Sequence, residues 1–424
     1  MMALVERAFL TPVMRLWYRS LRSRHALGPM PTDGLSAHAA GPDSDRVLLF
    51  GSGIAAGLGV LSQDLALSGH LARALSTRTL RGTDVDVVAD LSLTAQNALP
   101  HLRSIVLERY DAVILTLGTR ESLELAPIGG WRQHFRMLLG QLLDAGSFDI
   151  VVTGIPSLRS INAYGTPLGL LAERHSHRYN RATAELCSAN RRTTFVRLSS
   201  AINHPDGSGR AVENYRMWAG EIAEATAPLL DLARSSNTGV RHDAATSEPQ
   251  REASVQRLGI LHTEPEARFD RIVDQARMLF NASGGALAFI DGDRLWYKSS
   301  IGARLPGIAL KDSFTQATLA ERGAFIIPDA HADARFRNLA QVTGEPWVRF
   351  WAGFPIEDQD GVRVGTLSVF DSEHRFLAPD YHAAVLRQLA LMVQQELRRT
   401  TASSARAKAS HNRPRASSTE IKFQ

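Results

Sequence analysis

Between Arg46 and Leu230, short apolar runs alternate with longer helical patterns, and this alternation constrains the fold more than any other feature of the chain. The runs Arg46–Phe50, Val85–Val88, Asp111–Leu117, Asp149–Thr153 and Thr194–Leu198 read as strands. Leu93–Leu102, Trp131–Leu143, Leu170–Ala189 and Ala211–Leu230 read as helices, and Gly51–Gly59 as a glycine-rich turn. Strands that are apolar on both sides must be covered on both sides, which means a parallel sheet between two layers of helix. Right-handed crossovers then give a three-layer, doubly wound α/β domain. Its ligand crevice is expected at the carboxyl ends of the strands, where Gly51, Ser52 and Gly53 approach Gly118–Glu121.

The pattern changes after a polar stretch, residues 234–254, which reads as a linker. Glu264–Phe280 has a helical period. Ala286–Ile290 and Arg294–Ser299 meet at Asp291-Gly292-Asp293, a hairpin signal. A helix over Phe314–Ala320, strands at Phe325–Ile327, Arg349–Phe354 and Arg363–Phe370, and a helix over Tyr381–Leu397 complete an α+β unit with an antiparallel sheet. The expected organisation is a helix and connector (1–45), the α/β domain (46–233), the linker (234–254), the α+β domain (255–399) and a disordered basic tail (400–424). In residues 4–24, Leu10, Met14, Trp17 and Leu21 share one helical face, with Arg15, Arg19 and Arg22 on another. Such a helix docks on the next domain, the reading preferred here, or lies on an anionic membrane surface.

Charge and cysteine usage narrow the function classes. The net charge of +5 is concentrated at the ends: six arginines face four carboxylates in residues 1–46, and seven basic residues face one acidic residue in 398–424. A sticky tail fits this distribution better than a nucleic-acid-binding fold, and no zinc-finger, ribonucleoprotein or basic recognition-helix motif is present, so no specific nucleic-acid partner is expected. The single cysteine, Cys187, permits neither an internal disulfide nor a cysteine-based metal site. No run is long and apolar enough for a transmembrane helix, and the cytoplasm is the expected location. No metal and no cofactor is expected.

Several ordered motifs in the second unit are similar to those of GAF domains. They are Pro328-Asp329, Asp333-Ala334-Arg335-Phe336, Arg349-Phe350-Trp351-Ala352-Gly353-Phe354-Pro355 and Gly365-Thr366-Leu367-Ser368-Val369-Phe370-Asp371. Leu258–Pro265 with Phe269-Asp270-Arg271-Ile272 resembles the family's opening helix, and Asp291–Gly302 its first hairpin. The resemblance implies a small-ligand module that also dimerises through its helices. It does not name the ligand. This unit has no cysteine for a tethered bilin, and it lacks the residue set of the cyclic-nucleotide-binding members. Trp296, Trp347, Phe350 and Trp351 are candidates to line a pocket, although aromatics on half-buried strands more often belong to the core. Asp329 and Asp333 read as capping residues, and Gly353 and Gly365 as points of close strand approach.

The first unit resembles bacterial GDSL/SGNH esterases, whose sheet is SGNH/flavodoxin-like. The matching residues are Gly51-Ser52-Gly53-Ile54-Ala55-Ala56-Gly57-Leu58-Gly59-Val60, Gln63-Asp64, Leu117-Gly118-Thr119, Gly154-Ile155-Pro156, His204-Pro205 and Tyr215-Arg216-Met217-Trp218-Ala219. The family's chemistry needs a serine nucleophile, a histidine base, an aspartate and oxyanion donors. On this resemblance the nucleophile position is Gly53, the oxyanion glycine is Ser92, the oxyanion asparagine is Arg120, the next aspartate is Glu121, and the triad aspartate is Ala201. Only His204 remains, with Ser52 one residue early, so the two are relics and esterase activity is expected to be lost. A residual esterase using Ser52 and His204 under GAF control is the rival reading. A nucleotide-binding module through Gly51–Gly57 is a third. Arg120 places a fixed cation in the old pocket, which suggests an anionic ligand unless an internal carboxylate satisfies it.

Overall fold

The structure, a computed structural model, describes residues 2–23, 28–32, 36–39, 41, 43–103, 105–158, 164–200, 211–236, 248–302, 307–321, 323–358, 361–375 and 379–411. The chain divides into two compact units, Met1–Ala244 and Ala245–Gln424.

In chain order the first unit contains α1 (Met2–Ser23), β1 (Ser36–Ala39), β2 (Asp45–Gly51), α2 (Leu67–Thr79), β3 (Thr83–Ala89), α3 (Ala98–Leu102) and β4 (Ala112–Thr116). It continues with α4 (Thr119–Leu123), α5 (Ile128–Ala145), β5 (Asp149–Thr153), α6 (Pro167–Ser188), β6 (Thr193–Val196) and α7 (Ala211–Ser236). The sheet runs β1-β3-β2-β4-β5-β6. The strands β3, β2, β4, β5 and β6 pair in parallel, and β1 adds antiparallel to the outer edge of β3. The direction of winding reverses at β2, which has β3 on one side and β4 on the other. The crevice therefore lies beyond the carboxyl ends of β2 and β4.

Alternate residues of the central strands fill two cores, as the pleat requires. Leu48, Phe50, Val113 and Leu115 face one core with Trp131, Phe135 and Leu138 of α5 and Tyr179 of α6. Val47, Leu49 and Ile114 face the other with Leu71 and Leu75 of α2 and Trp218 and Ile222 of α7. A buried ion network closes the base of the unit: the Asp45 carboxylate, with no exposed surface, accepts from Arg81 at 2.8 Å and from Arg234 at 2.9 Å.

Two expectations for this unit are corrected, and one element is added. Residues 28–45 are not merely a connector, because they contain β1. The helix expected over Leu93–Leu102 begins only at Ala98. There, Thr94 and Asn97 bond to each other's backbone amides, which offers that segment an alternative to the helix. The helix α2 follows the glycine-rich turn and carries no expectation from the sequence.

The second unit contains α8 (Glu248–Leu258), α9 (Ala267–Leu279), β7 (Gly284–Asp291), β8 (Arg294–Ile301), α10 (Phe314–Ala320), β9 (Phe325–Ile327), α11 (Ala340–Thr343), β10 (Phe350–Glu357), β11 (Arg363–Asp371) and α12 (Pro379–His411). Its antiparallel sheet runs β8-β7-β11-β10-β9. One face packs on α8, α9 and α12 through Val255, Phe269, Val273, Phe350, Leu386 and Val393. The other packs on α10 and the segments around Phe336 and Val348. Gly365 permits close pairing of β11 with β7, since a Cβ there would lie 2.1 Å from the Ala288 carbonyl oxygen.

Two boundaries move. The interval 234–254 is helical at both ends, where α7 reaches Ser236 and α8 starts at Glu248; its middle, 237–247, is outside the described residues. The expected disorder from residue 400 is contradicted as far as His411, because α12 continues through it; residues 412–424 are outside the described part. Among the described residues no helix is long and apolar enough to cross a membrane.

Candidate functional site

At the carboxyl end of β2, Gly51 pairs in register with Thr116 of β4, and the chain turns through Ser52 into a short 3-10 helix, Gly53–Ala56. The Ser52 amide donates to the Thr116 carbonyl at 2.7 Å, and Thr116 Oγ1 donates back to the Ser52 carbonyl at 3.1 Å. These bonds tie the turn down. Ser52 is only 2% exposed, and its hydroxyl has no hydrogen-bond partner among the described residues.

Gly53 occupies the left-handed region at φ +64, where a side chain is strained. A Cβ built on it would sit 2.5 Å from Thr119 Oγ1 and 3.2 Å from Thr119 Cβ. The space beside Gly53 is thus taken by a threonine from the first turn of α4. Sequence reasoning named Thr119 only as part of a motif and missed this role.

Arg120 and Glu121 diverge from one another. The Arg120 Nε donates to Glu124 Oε1 at 2.9 Å and its Nη1 to the Ser92 carbonyl at 2.7 Å. An internal carboxylate therefore satisfies the guanidinium, and the expected anionic ligand at Arg120 loses its premise. The partner is the residue one helical turn ahead, an i, i+4 spacing that the sequence already displayed. Ser92 contributes its backbone oxygen, which also accepts from Asn97 Nδ2 at 3.1 Å. The Ser92 amide is taken by Asp90 and is not turned toward an oxyanion.

Glu121 is 8% exposed, and its Oε1 accepts from the Ala95 amide at 2.7 Å. Its Oε2 has no partner among the described residues. Burial pushes the carboxyl up to about 7, only partly offset by the backbone bond from Ala95. His204, and Ala201 at the triad-aspartate position, lie outside the described residues. In the first unit the structure thus brings Gly51, Ser52, Gly53, Ser92, Arg120 and Glu121 to neighbouring strand ends, as two closed hydrogen-bonded groups.

The second unit's aromatic candidates do not form one pocket. Phe350 and Trp351 are consecutive on β10 and point to opposite faces of the sheet. Phe350 is fully buried on the α9 and α12 face. Trp351 lies in a stack on the other, with Phe314 at 4.9 Å and Phe370 at 6.3 Å between ring centroids, and Phe336 5.0 Å beyond Phe314. Its indole N–H donates to Thr318 Oγ1 at 3.3 Å. Trp296 is half-buried at the rim of the helix-covered core, and Trp347 is exposed on a loop. As a pocket lining, the set is corrected to core and surface.

Asp329 and Asp333 do hold turns, accepting from the amides of His331 and Arg335. The Arg349 guanidinium beside Asp329 holds that carboxyl below its usual range. A buried lysine went unrecognised: Lys298 donates to Thr263 Oγ1 and the Glu264 carbonyl, each at 2.6 Å, and pairs with Glu266 at 2.8 Å. It pins the start of α9 to the hairpin. A surface groove of about 320 Å³ opens between α8 and the β7–β8 turn, lined by Glu248, Arg251, Glu252, Leu261 and Asp291 among others.

Comparison with known proteins decides the family of the second unit, since residues 264–397 match the GAF domain family. Residues 264–397 are a GAF domain. Over 150 residues the chain is 32% identical to a cyclic di-GMP phosphodiesterase of Pseudomonas aeruginosa, a match spanning 35% of this chain and 26% of that protein. Among solved structures, it is similar to the GAF domain of a phosphoenolpyruvate-protein phosphotransferase from Coxiella burnetii: 15% identity, 39% of this chain, 98% of that one, TM-score 0.27. It is also similar to an inhibitor-bound aryl esterase of M. smegmatis: 19% identity, 44% of this chain, 99% of that one, TM-score 0.36.

Proposed function

We propose that this chain is a sensory or regulatory protein of the cytoplasm, in which the GAF domain reads a small ligand and the first unit is a GDSL/SGNH-type domain that no longer hydrolyses esters. The observation that carries the second half is the pair Gly53 and Thr119. The position that resembles the nucleophile has no side chain, and a threonine fills the space that one would need. Loss of a nucleophile by itself removes about 10⁶ of rate in well-studied triads. Ser52 is a poor substitute because it is 2% exposed and its backbone is tied into a hydrogen-bonded turn. The GAF match supports the signalling half, as does the likeness of 150 residues of the chain to part of a cyclic di-GMP phosphodiesterase.

The test is hydrolysis of p-nitrophenyl acetate and butyrate by the full chain. Turnover at the level of buffer is expected. Turnover that disappears in Ser52→Ala or His204→Ala would establish the residual esterase instead.

A further inference from the structure

The helix α1 does more than flank the first unit. Met14 is fully buried and Tyr18 nearly so, within the same core as β4, α5 and α6, while Leu10, Trp17 and Leu21 pack against that core. The places it touches are strand ends. Tyr18 Oη reaches the Leu91 carbonyl beyond β3 at 3.5 Å, and Arg15 Nε reaches Glu124 Oε2 at the end of α4 at 3.7 Å. The Trp17 ring lies 5.9 Å from that of Tyr164, beyond β5. Glu124 is also the carboxylate that holds Arg120, which in turn holds the Ser92 carbonyl. One face of α1 thus lies across three consecutive strand-end segments, which is where a doubly wound sheet presents its crevice.

The docked face is apolar, and the polar contacts given above are long. The side turned away carries exposed Arg19 together with Leu16, 71% exposed, and Val13, and Arg15 sits at the edge of the docked face, exposed but within reach of Glu124. Over its whole length α1 has four arginines and one glutamate. A basic helix with Leu, Met, Trp and Tyr on one face has the composition of an interfacial helix, for which an anionic bilayer offers both an apolar layer and charge complementarity. Among the described residues the crevice offers the apolar layer, and Glu124 at 3.7 Å is the carboxylate that faces Arg15.

We propose that α1 is an exchangeable cover over the strand-end crevice, and that an anionic lipid surface is the partner that removes it. The same apolar face serves both states, so membrane contact and crevice opening are mutually linked.

The full chain tests this with two kinds of vesicle, phosphatidylcholine alone and phosphatidylcholine with 30% phosphatidylglycerol, read by co-sedimentation and hydrogen exchange. Binding to the anionic vesicles is expected to exceed that to neutral ones at least tenfold. On binding, exchange should rise in residues 90–97 and 119–124 while 10–21 stays protected. Neutralising Arg15→Gln and Arg19→Gln together should weaken binding at least tenfold, at about 1 kcal/mol per basic residue near such a surface. Absent or charge-independent binding overturns the proposal. So does binding that leaves residues 90–97 unchanged, which would mean that α1 stays docked. Binding indifferent to the double variant also overturns it, by assigning the contact to the basic C-terminal segment.

Discussion

The carboxyl of Glu121 offers the sharpest test of the first unit's architecture. Its ordinary value is 4.5, and burial raises it to about 7 in the folded chain. A raised acid favours the folded state in its protonated form. The contribution is complete below about pH 4.5, declines as pH rises toward 7, and is gone above that. The difference, at 1.36 kcal/mol per pH unit, amounts to about 3 kcal/mol of stability forfeited by pH 8. Replacing Glu121→Gln keeps an oxygen for the Ala95 amide and removes the charge, so the variant should escape the loss. Calorimetry of the full chain at pH 5 and pH 8 measures it, with the first unit's transition identified as the one that Asp45→Asn lowers. Near-equal melting at pH 5 and a gain of about 8 °C for Glu121→Gln at pH 8 are expected, at roughly 2–4 °C per kcal/mol for a unit of this size. If the variant is less stable than wild type at pH 8, or the gap is the same at both pH values, the carboxylate is ionised and partnered, and the reasoning fails.

Other perturbations follow from the same contacts. Gly53→Ser should lower the first unit's melting temperature and still give no ester hydrolysis, because the new Cβ meets Thr119 in a left-handed backbone; a gain of turnover in a chromogenic assay would contradict this. Asp45→Asn should cost about 3 kcal/mol in denaturant unfolding, since it leaves Arg81 and Arg234 around a buried position without their shared charge. A panel of carboxylates and phosphates should leave the melting temperature unchanged in wild type and in Arg120→Ala alike, as Glu124 already occupies the guanidinium; an anion-specific shift lost in the variant would restore the anion site. Lys298→Met should destabilise the GAF domain by about 2 kcal/mol, seen as earlier unfolding by far-ultraviolet circular dichroism, because Thr263, Glu264 and Glu266 lose their common donor.

What could be read from the sequence follows burial. The strands β4 and β5 are apolar at nearly every position because helices cover both faces, so Ala112–Thr116 and Asp149–Thr153 stood out. The segment that became α2, Leu67–Thr79, is broken by glycine, serine and threonine, and its helix shows in the packing against α7 and the sheet. The polar α8 similarly hid in an apparent linker; Ser254 and Val255 are its buried residues. At the candidate site, residue identities were legible, as was the i, i+4 spacing of Arg120 and Glu124, but the choice among partners was not. Arg120 chose Glu124 over Glu121, and Thr119 turned toward Gly53, because both depend on how α4 sits on the ends of two strands.

The four residues of β1 have a practical meaning for anyone dissecting this chain. Ser36–Ala39 cover the first four residues of the outer edge of β3, pairing residue for residue with Thr83–Asp86. A fragment beginning at Arg46, where the strand pattern starts, would strip away that guard and leave a row of vacant amides and carbonyls on β3, a ready template for stacking one molecule on the next. It would also lose Asp45, and with it the anchor that Arg81 and Arg234 share. The compact first unit therefore begins upstream of the first obvious strand, and a fragment cut at Arg46 invites edge-to-edge aggregation that would be mistaken for an intrinsic property of the domain.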